Sequence, residues 1–406
     1  MLYAKIVLAL PVEGPFDYQI LPEDEKKVSP GMRAWINFRG KKEIGYIVSI
    51  SAQSDIPRIK SLIKLVDSVP VLDSHMLKLT KMLSDYYCCS WGEAIAASLP
   101  DPLRKGKPLE VLAEFMALAS GGQTIALGLK EPPKKNIPQG LLLADLDGKE
   151  RWDVYAGEIK KTLAIGKSVI VLVSDKTMGL KVREILSGKI GLESSVLYRQ
   201  QPNELEEWAK IKNGQVKVVV GTRSSIFAPL ANLGLIIIDE ELDSVYKQDQ
   251  SPHYHARQVA LVRAQMEKAR IILGGIAVSL ESVYLSRRKK IEFQILKRKA
   301  AFPEIKVIDM KSLPLLDKKK NIILSRLLQD AMVSVLAAQG KILLFLNRKG
   351  FATAASCSTC GKTLKCPRCN INLVYFFDQN ILRCHYCNYK LIPPKLCPQC
   401  NSGYIK

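Results

Sequence analysis

Four Cys-x-x-Cys pairs stand in a row near the end of this chain: Cys357/Cys360, Cys366/Cys369, Cys384/Cys387 and Cys397/Cys400. A Cys-x-x-Cys turn lets two thiolates converge on one ion, and two such turns complete the tetrahedral sulfur site that zinc accepts. Eight sulfurs make two full sites, so the spacing predicts two zinc ions. A redox Cys-x-x-Cys does not explain four copies. Spacing alone leaves open which pairs share an ion. The loop between Cys366/Cys369 and Cys384/Cys387 has ribbon length, which would leave Cys357/Cys360 to close with Cys397/Cys400. Sites closed by four thiolates are structural and keep no position for a substrate. His385 lies inside one pair but is not needed as a ligand. Cys88 and Cys89 are adjacent and read as buried thiols.

Upstream the chain changes rhythm twice. Residues 1–107 are β-rich, with short apolar runs "MLYAKIVLAL", "FDYQI", "MRAWINF" and "EIGYIVSI" punctuated by Pro and Gly, followed by a helix over 74–87. Small antiparallel barrels have this pattern. Residues 108–140 hold "KEPPKKNIPQG" and read as a linker or reduced domain. Residues 141–310 alternate. The runs "KSVIVLVSD", "VKVVVGT", "LGLIIIDEE" and "RIILGG" lack period-two alternation and are separated by helical segments around 154–165, 176–186 and 256–268. Strands buried on both faces of a parallel sheet, with crossover helices, give this rhythm. Residues 311–352 start a second such unit with a strand at "KILLFLN", and 353–406 hold the metal segment. The fold class expected is α/β with a β-rich amino-terminal domain and a carboxyl-terminal zinc ribbon.

Lys and Arg number 60 against 39 Asp and Glu, a net charge of +21. Such an excess favours a polyanion, because each neutralised phosphate releases counterions. No apolar run approaches the ~20 residues of a membrane span. The opening "MLYAKIVLALPVEGPFDY" lacks a basic leader and reads as a strand. A cytoplasmic location without membrane contact is expected, with thiols kept reduced.

The stretch "VVVGTRSSIFAPLANLGLIIIDEELDSVYKQDQSPHYHARQVALVRA", then "LLFLNRKGFA" and the four cysteine pairs, resembles the PriA family of primosomal replication-restart proteins. The resemblance covers most of the chain. It implies a RecA-like helicase lobe behind an amino-terminal 3′ DNA-end-binding domain. It also implies binding to stalled forks and D-loops and partnership with primosome and helicase-loading proteins. By position, Phe16, Asp17 and Tyr18 would contact the 3′ end of the nascent strand, with Lys60 adding phosphate charge. Chemically, an aromatic face can stack on a base and a carboxylate can accept from a terminal hydroxyl.

The motor motifs depart from the family. A phosphate loop needs Gly at its turn, Lys for the β/γ-phosphates and Ser or Thr for magnesium. In "LLLADLDGKERWDVYAGEIKK" the corresponding positions are Asp145, Glu150, Arg151 and Trp152, with Gly148 inside the turn. Asp239 and Glu240 stand where magnesium binding and water activation would lie. Leu242 replaces the family's His, and Gly275-Ile276-Ala277 replaces its Ser-Ala-Thr. The chain stops at Lys406, before the part of lobe two expected to carry an arginine finger. Nucleotide affinity is expected to collapse, leaving a DNA-binding protein without its own helicase activity. The alternatives are an ATP-dependent 3′→5′ helicase with unorthodox motifs, a decayed relic, or a zinc-ribbon scaffold for protein or RNA.

Overall fold

The computed structural model describes residues 1–109, 140–148, 150–191, 194–296, 303–309, 324–345, 355–384 and 387–405. The chain divides into two compact units, Met1–Phe302 and Pro303–Lys406. The linker core at 110–139, His385 and much of 311–352 lie outside the described residues.

The first unit opens with five short strands: β1 (Tyr3–Leu8), β2 (Phe16–Gln19), β3 (Arg33–Phe38), β4 (Lys41–Ser51) and β5 (Lys64–Leu65). They pair in the order β2-β1-β4-β3-β5, all antiparallel. The β3–β4 turn is Arg39-Gly40, both with positive φ (49° and 84°), the two-residue turn that suits strand twist. The stretch around β5 closes the sheet. At one end Gln19 N–H donates to Lys60 O and Leu62 N–H to Gln19 O, each at 2.9 Å. At the other, Ile63 N–H donates to Trp35 O at 2.8 Å and Val66 N–H to Arg33 O at 2.9 Å. The expected small barrel is therefore present, filled by Ala4, Ile6, Tyr18, Ile36 and Ile47.

Helix α1 (Ser74–Tyr87) starts at Asp73, whose carboxylate accepts from Met76 N–H at 2.7 Å. It ends at Cys88 in the left-handed conformation, φ 51°. Cys88 is exposed and Cys89 half-buried, which corrects the expectation of two buried thiols: a helix-ending residue turns outward. Helix α2 (Trp91–Ser98) was not expected, although Ser90-x-x-Glu93 forms a complete capping box. A short α3 (Asp101–Arg104) follows.

The sheet of seven parallel strands comprises β6 (Gly140–Asp145), β7 (Ser168–Leu172), β8 (Ser195–Leu197), β9 (Val218–Gly221), β10 (Leu233–Ile238), β11 (Arg270–Gly275) and β12 (Glu292–Leu296). Their order is β12-β6-β11-β10-β7-β9-β8. The crossover helices are α4 (Arg151–Ala164), α5 (Lys176–Ile190), α6 (Glu204–Lys212), α7 (Ala256–Glu267) and α8 (Leu280–Arg287). Alternate residues of each central strand enter different cores. Val169, Val171, Leu235 and Ile237 meet α4 and α5. Ile170, Leu172, Ile236 and Ile238 meet α7 and, in the same cluster, Leu77, Leu83, Ile95 and Leu99 of the amino-terminal segment. Burial on both faces is why these strands show no polar alternation.

Arg33 is fully buried, its Nε 2.8 Å from Asp67 Oδ2 and one terminal nitrogen 2.8 Å from Lys107 O. It ties the barrel to the segment after α3.

In the second unit, α9 (Arg326–Ala337) buries no residue. Strands β13 (Val374–Phe376), β14 (Ile381–Arg383) and β15 (Lys390–Leu391) form an antiparallel meander. Residues 341–345 carry no strand, and Leu343 and Phe345 are 92% and 84% exposed. The strand expected at "KILLFLN" is not formed over 341–345, and Leu346 and Asn347 lie outside the described residues. A strand needs a ladder partner for its N–H and C=O groups, and among the described residues none pairs with it.

Replacing Asp67 with Ala strands the Arg33 guanidinium in the core. A loss of about 3–5 kcal/mol in urea denaturation of the chain is expected, and an unchanged midpoint would show that the pair contributes nothing net.

Candidate functional site

The carboxyl ends of β6, β10 and β11 frame the crevice where open parallel sheets hold ligands. The turn after β6 runs through Gly148, φ +74°, into the first residue of α4, Arg151. Arg151 is 4% exposed. Its backbone N–H donates to Asp145 Oδ2 at 2.9 Å. Its guanidinium crosses the crevice: Nε lies 2.7 Å from Asp239 Oδ1, and one terminal nitrogen lies 2.7 Å from Glu240 Oε1 and 3.3 Å from Asp239 Oδ2. Tyr155 adds an O–H donor to Asp239 at 3.3 Å. Burial pulls the Arg151 pKa down, but the Asp239 bond and the two carboxylate charges outweigh it and the net shift is upward. Burial raises the Glu240 carboxyl above the ordinary range, against the lowering by Arg151.

The Arg151 side chain thus occupies the crevice, a single guanidinium facing Asp145, Asp239 and Glu240. Trp152 does not face it; the indole is 8% exposed and stands edge-on to Tyr155 at 5.1 Å in the core. Glu150 sits at the start of α4. Ile276 crosses over the turn, such that a Cβ on Gly148 would lie 3.2 Å from its Cδ1, and its N–H donates to Glu240 Oε2 at 3.2 Å. Leu242 is 54% exposed. The residues do not fit a triphosphate with magnesium. Three carboxylates would repel the phosphates, and the Arg151 side chain is already bonded to two of them.

A second feature is a groove of about 1170 Å³ on the first unit. Arg104, Lys105, Arg199, Arg223 and Lys247 supply cations to its walls, among acids such as Asp101 and Asp249. The family-like stretch 218–264 contains Arg223 and Lys247, whereas sequence reasoning did not point to Arg199. Arg199 bonds the carbonyls of Ala97 and Leu99 at the end of α2 and lies 3.3 Å from Asp101 Oδ1. Arg223 donates to Val245 O at 2.7 Å and also to Lys247 O. Arg104, Lys105 and Lys247 are exposed.

The predicted end-contacting residues share β2 but not one environment. Phe16 is half-buried against Phe38, centroids 5.1 Å apart. Asp17 accepts from Ser54 and lies 4.0 Å from Lys5 Nζ. Tyr18 points into the barrel, 5% exposed, with its O–H donating to Asn37 O at 3.1 Å. Lys60 is exposed beside β2, its carbonyl accepting from Gln19.

The eight thiols gather into two groups, Cys357, Cys360, Cys397, Cys400 and Cys366, Cys369, Cys384, Cys387, each with all sulfurs within 4.8 Å. Sulfurs about 2.3 Å from a central zinc lie roughly 3.8 Å apart. The separations of 3.6 Å (Cys357–Cys400), 3.7 Å (Cys360–Cys397) and 3.5 Å (Cys366–Cys387) match that geometry. The donor set and spacing fit zinc, and the pairing is nested. Each pair is built alike. The residue after its second cysteine is Gly361, Asn370, Asn388 or Asn401, all with positive φ. Its N–H bonds back to the first cysteine's carbonyl at 3.1, 2.9, 3.0 and 2.9 Å respectively. Gly or Asn after each pair was a readable signal, since only these residues visit that conformation cheaply.

Residues 5–100 match the PriA 3′ DNA-binding domain family, and residues 366–391 match the PriA DNA helicase Cys-rich region domain. The chain is 29% identical to the replication restart protein PriA of Treponema pallidum over 98% of this chain and 62% of that one. Against PriA of Rickettsia prowazekii the identity is 30% over the same shares. Against PriA of Synechocystis it is 37%, over 66% of this chain and 34% of the relative. The chain spans about 62% of the length of the first two relatives.

A Cβ on Gly403 would sit 2.3 Å from Cys357 Sγ and 2.8 Å from Thr359 Oγ1. Gly403→Ala is therefore expected to lose the outer sulfur site and keep the inner one. Thiol-blocked zinc release should fall by about half relative to the parent chain; undiminished release would refute the nested pairing.

Proposed function

The chain belongs to the PriA family, and from that membership we propose that it is a DNA-binding replication-restart protein. Its substrates are stalled forks, D-loops and 3′ ends in the cytoplasm, where it helps primosome and loader proteins reload the replicative helicase. It does so without its own helicase activity. The observation that carries the last point is Arg151 spanning Asp239 and Glu240 at 2.7 Å each. A motor turns over only if ATP and magnesium can enter this crevice, and here the magnesium-side carboxylates already have their cation.

Two zinc ions hold the cysteine segment as a rigid accessory to this role. They supply folding energy and no chemistry, since four thiolates leave no open position. The phosphate-binding surface is the groove with Arg104, Lys105 and Lys247 on its exposed walls, supported by the +21 charge. Backbone contacts of this kind fix register and affinity without reading bases. At the barrel, Phe16, Asp17 and Lys60 are the members of the predicted set able to meet a DNA end. Tyr18 acts from behind β2, through packing.

Gel-shift titration on forked DNA tests the reading. A free 3′ hydroxyl at the branch should bind several-fold tighter than a blocked one, and equal binding would remove end recognition. Lys105→Glu with Lys247→Glu should weaken binding to all forks and lower the salt slope by about one per lost contact. Calorimetric titration with Mg·ATP should release no heat of binding. DNA-stimulated ATP turnover that Glu240→Gln abolishes would reinstate the motor.

A further inference from the structure

The groove and the filled crevice are joined by one short path of hydrogen bonds. Arg151 holds the Asp239 carboxylate at 2.7 Å. The Asp239 carbonyl accepts from the Tyr246 O–H at 2.6 Å. Tyr246 is fully buried and closes the single-turn helix Ser244–Tyr246. The loop then continues along the groove wall, where Val245, Lys247, Gln248, Asp249, Gln250 and Ser251 face the cavity. Arg223 braces the same loop from across the groove through Val245 O and Lys247 O. Gln248 N–H to Tyr254 O, 2.8 Å, and a bridge between Lys247 and His255 fold the loop back on itself.

We propose that Arg151 is a positioning residue. By supplying a permanent counterion to Asp239 it pins loop 243–255 in the conformation that walls the groove, so that DNA binding there needs no nucleotide. This rests on the reading of the groove as a DNA surface and adds how that surface is held.

The physical case has three parts. Asp145 and Asp239 are each 2% exposed, and Glu240 lies beside them. Buried carboxylates this close to one another require a cation. A guanidinium on the chain itself is always present, unlike an exchangeable ion. Its planar fork reaches two carboxylates at once, which a lysine ammonium on a freely rotating stem does less well. Finally, the strand end that Arg151 fixes is the one whose carbonyl anchors Tyr246, so the order imposed in the crevice is carried to the loop by a single intervening residue.

The test uses the full, zinc-loaded chain. Hydrogen exchange is followed across 243–255, and forked-DNA affinity is measured in parallel for Arg151→Met, Arg151→Lys and Tyr246→Phe. Arg151→Met should speed exchange in the loop and weaken fork binding, each by about tenfold, with Arg151→Lys intermediate. Tyr246→Phe breaks the next link without touching a charge, and should loosen the loop even if Arg151→Met fails to fold. Mg·ATP should leave loop exchange in the parent chain unchanged. Unaltered loop exchange in both Arg151→Met and Tyr246→Phe overturns the proposal, and this readout requires no DNA. Faster exchange with undiminished fork affinity, in a background where Lys247→Glu does weaken binding, also overturns it while leaving the groove reading intact. If Lys247→Glu fails to weaken binding, the groove reading falls, and the link from Arg151 to DNA falls with it.

Discussion

One buried guanidinium sets the character of this protein. Arg151 stands at the start of α4, where a helix amino terminus and its free N–H groups would otherwise favour an anion. The anions that come are the protein's own, Asp145 on its backbone and Asp239 and Glu240 on its side chain. Removing two or three carboxylates from water is costly, and only a well-placed cation offsets it. Arg151 therefore serves as the counterion of this crevice, through two hydrogen-bonded carboxylates. Glu241, next in the chain, repeats the logic one step deeper: fully buried, it accepts from Arg257 at 2.6 Å and from Ser279 Oγ at 2.9 Å.

The amino-terminal barrel and the parallel sheet share more than a linker. Leu77, Leu83 and Ile95 lie in the same core as Ile170, Ile236 and Ile271. Polar ties reinforce it. Lys212 Nζ donates to Val71 O at 3.1 Å, the Tyr87 hydroxyl oxygen accepts from His255 N–H at 3.0 Å, and Ser251 Oγ donates to Glu93 at 2.9 Å. A joint this apolar holds the proposed end-binding surface and the proposed groove in fixed relation within the first unit. Arg199 contributes to both, binding the end of α2 while lining the groove.

Much of this was legible in the residues. The cysteine pairs named their ligands because a metal turn is local and its spacing is stereotyped. The unbroken apolar runs named the central strands because burial on both faces leaves no polar alternation. Departures at Asp145, Arg151 and Trp152 were visible because a phosphate loop tolerates few residue types. Other features escaped. Trp152 was read as standing in place of the magnesium-binding Ser or Thr, yet it packs in the core, because a helix position fixes a residue's place and not its direction. Tyr18 looked like a stacking residue, and only the closed barrel turns it inward.

By itself the sequence determined the cysteine pairs, the strands of the sheet and the residues that depart from a phosphate loop, all matters decided within a few consecutive residues. The tertiary structure decided which residues those departures meet. Arg151 meets an aspartate 88 positions away, and Arg199 meets a helix end about a hundred positions back. Such pairings follow from strand order and shared cores, and no local pattern encodes them.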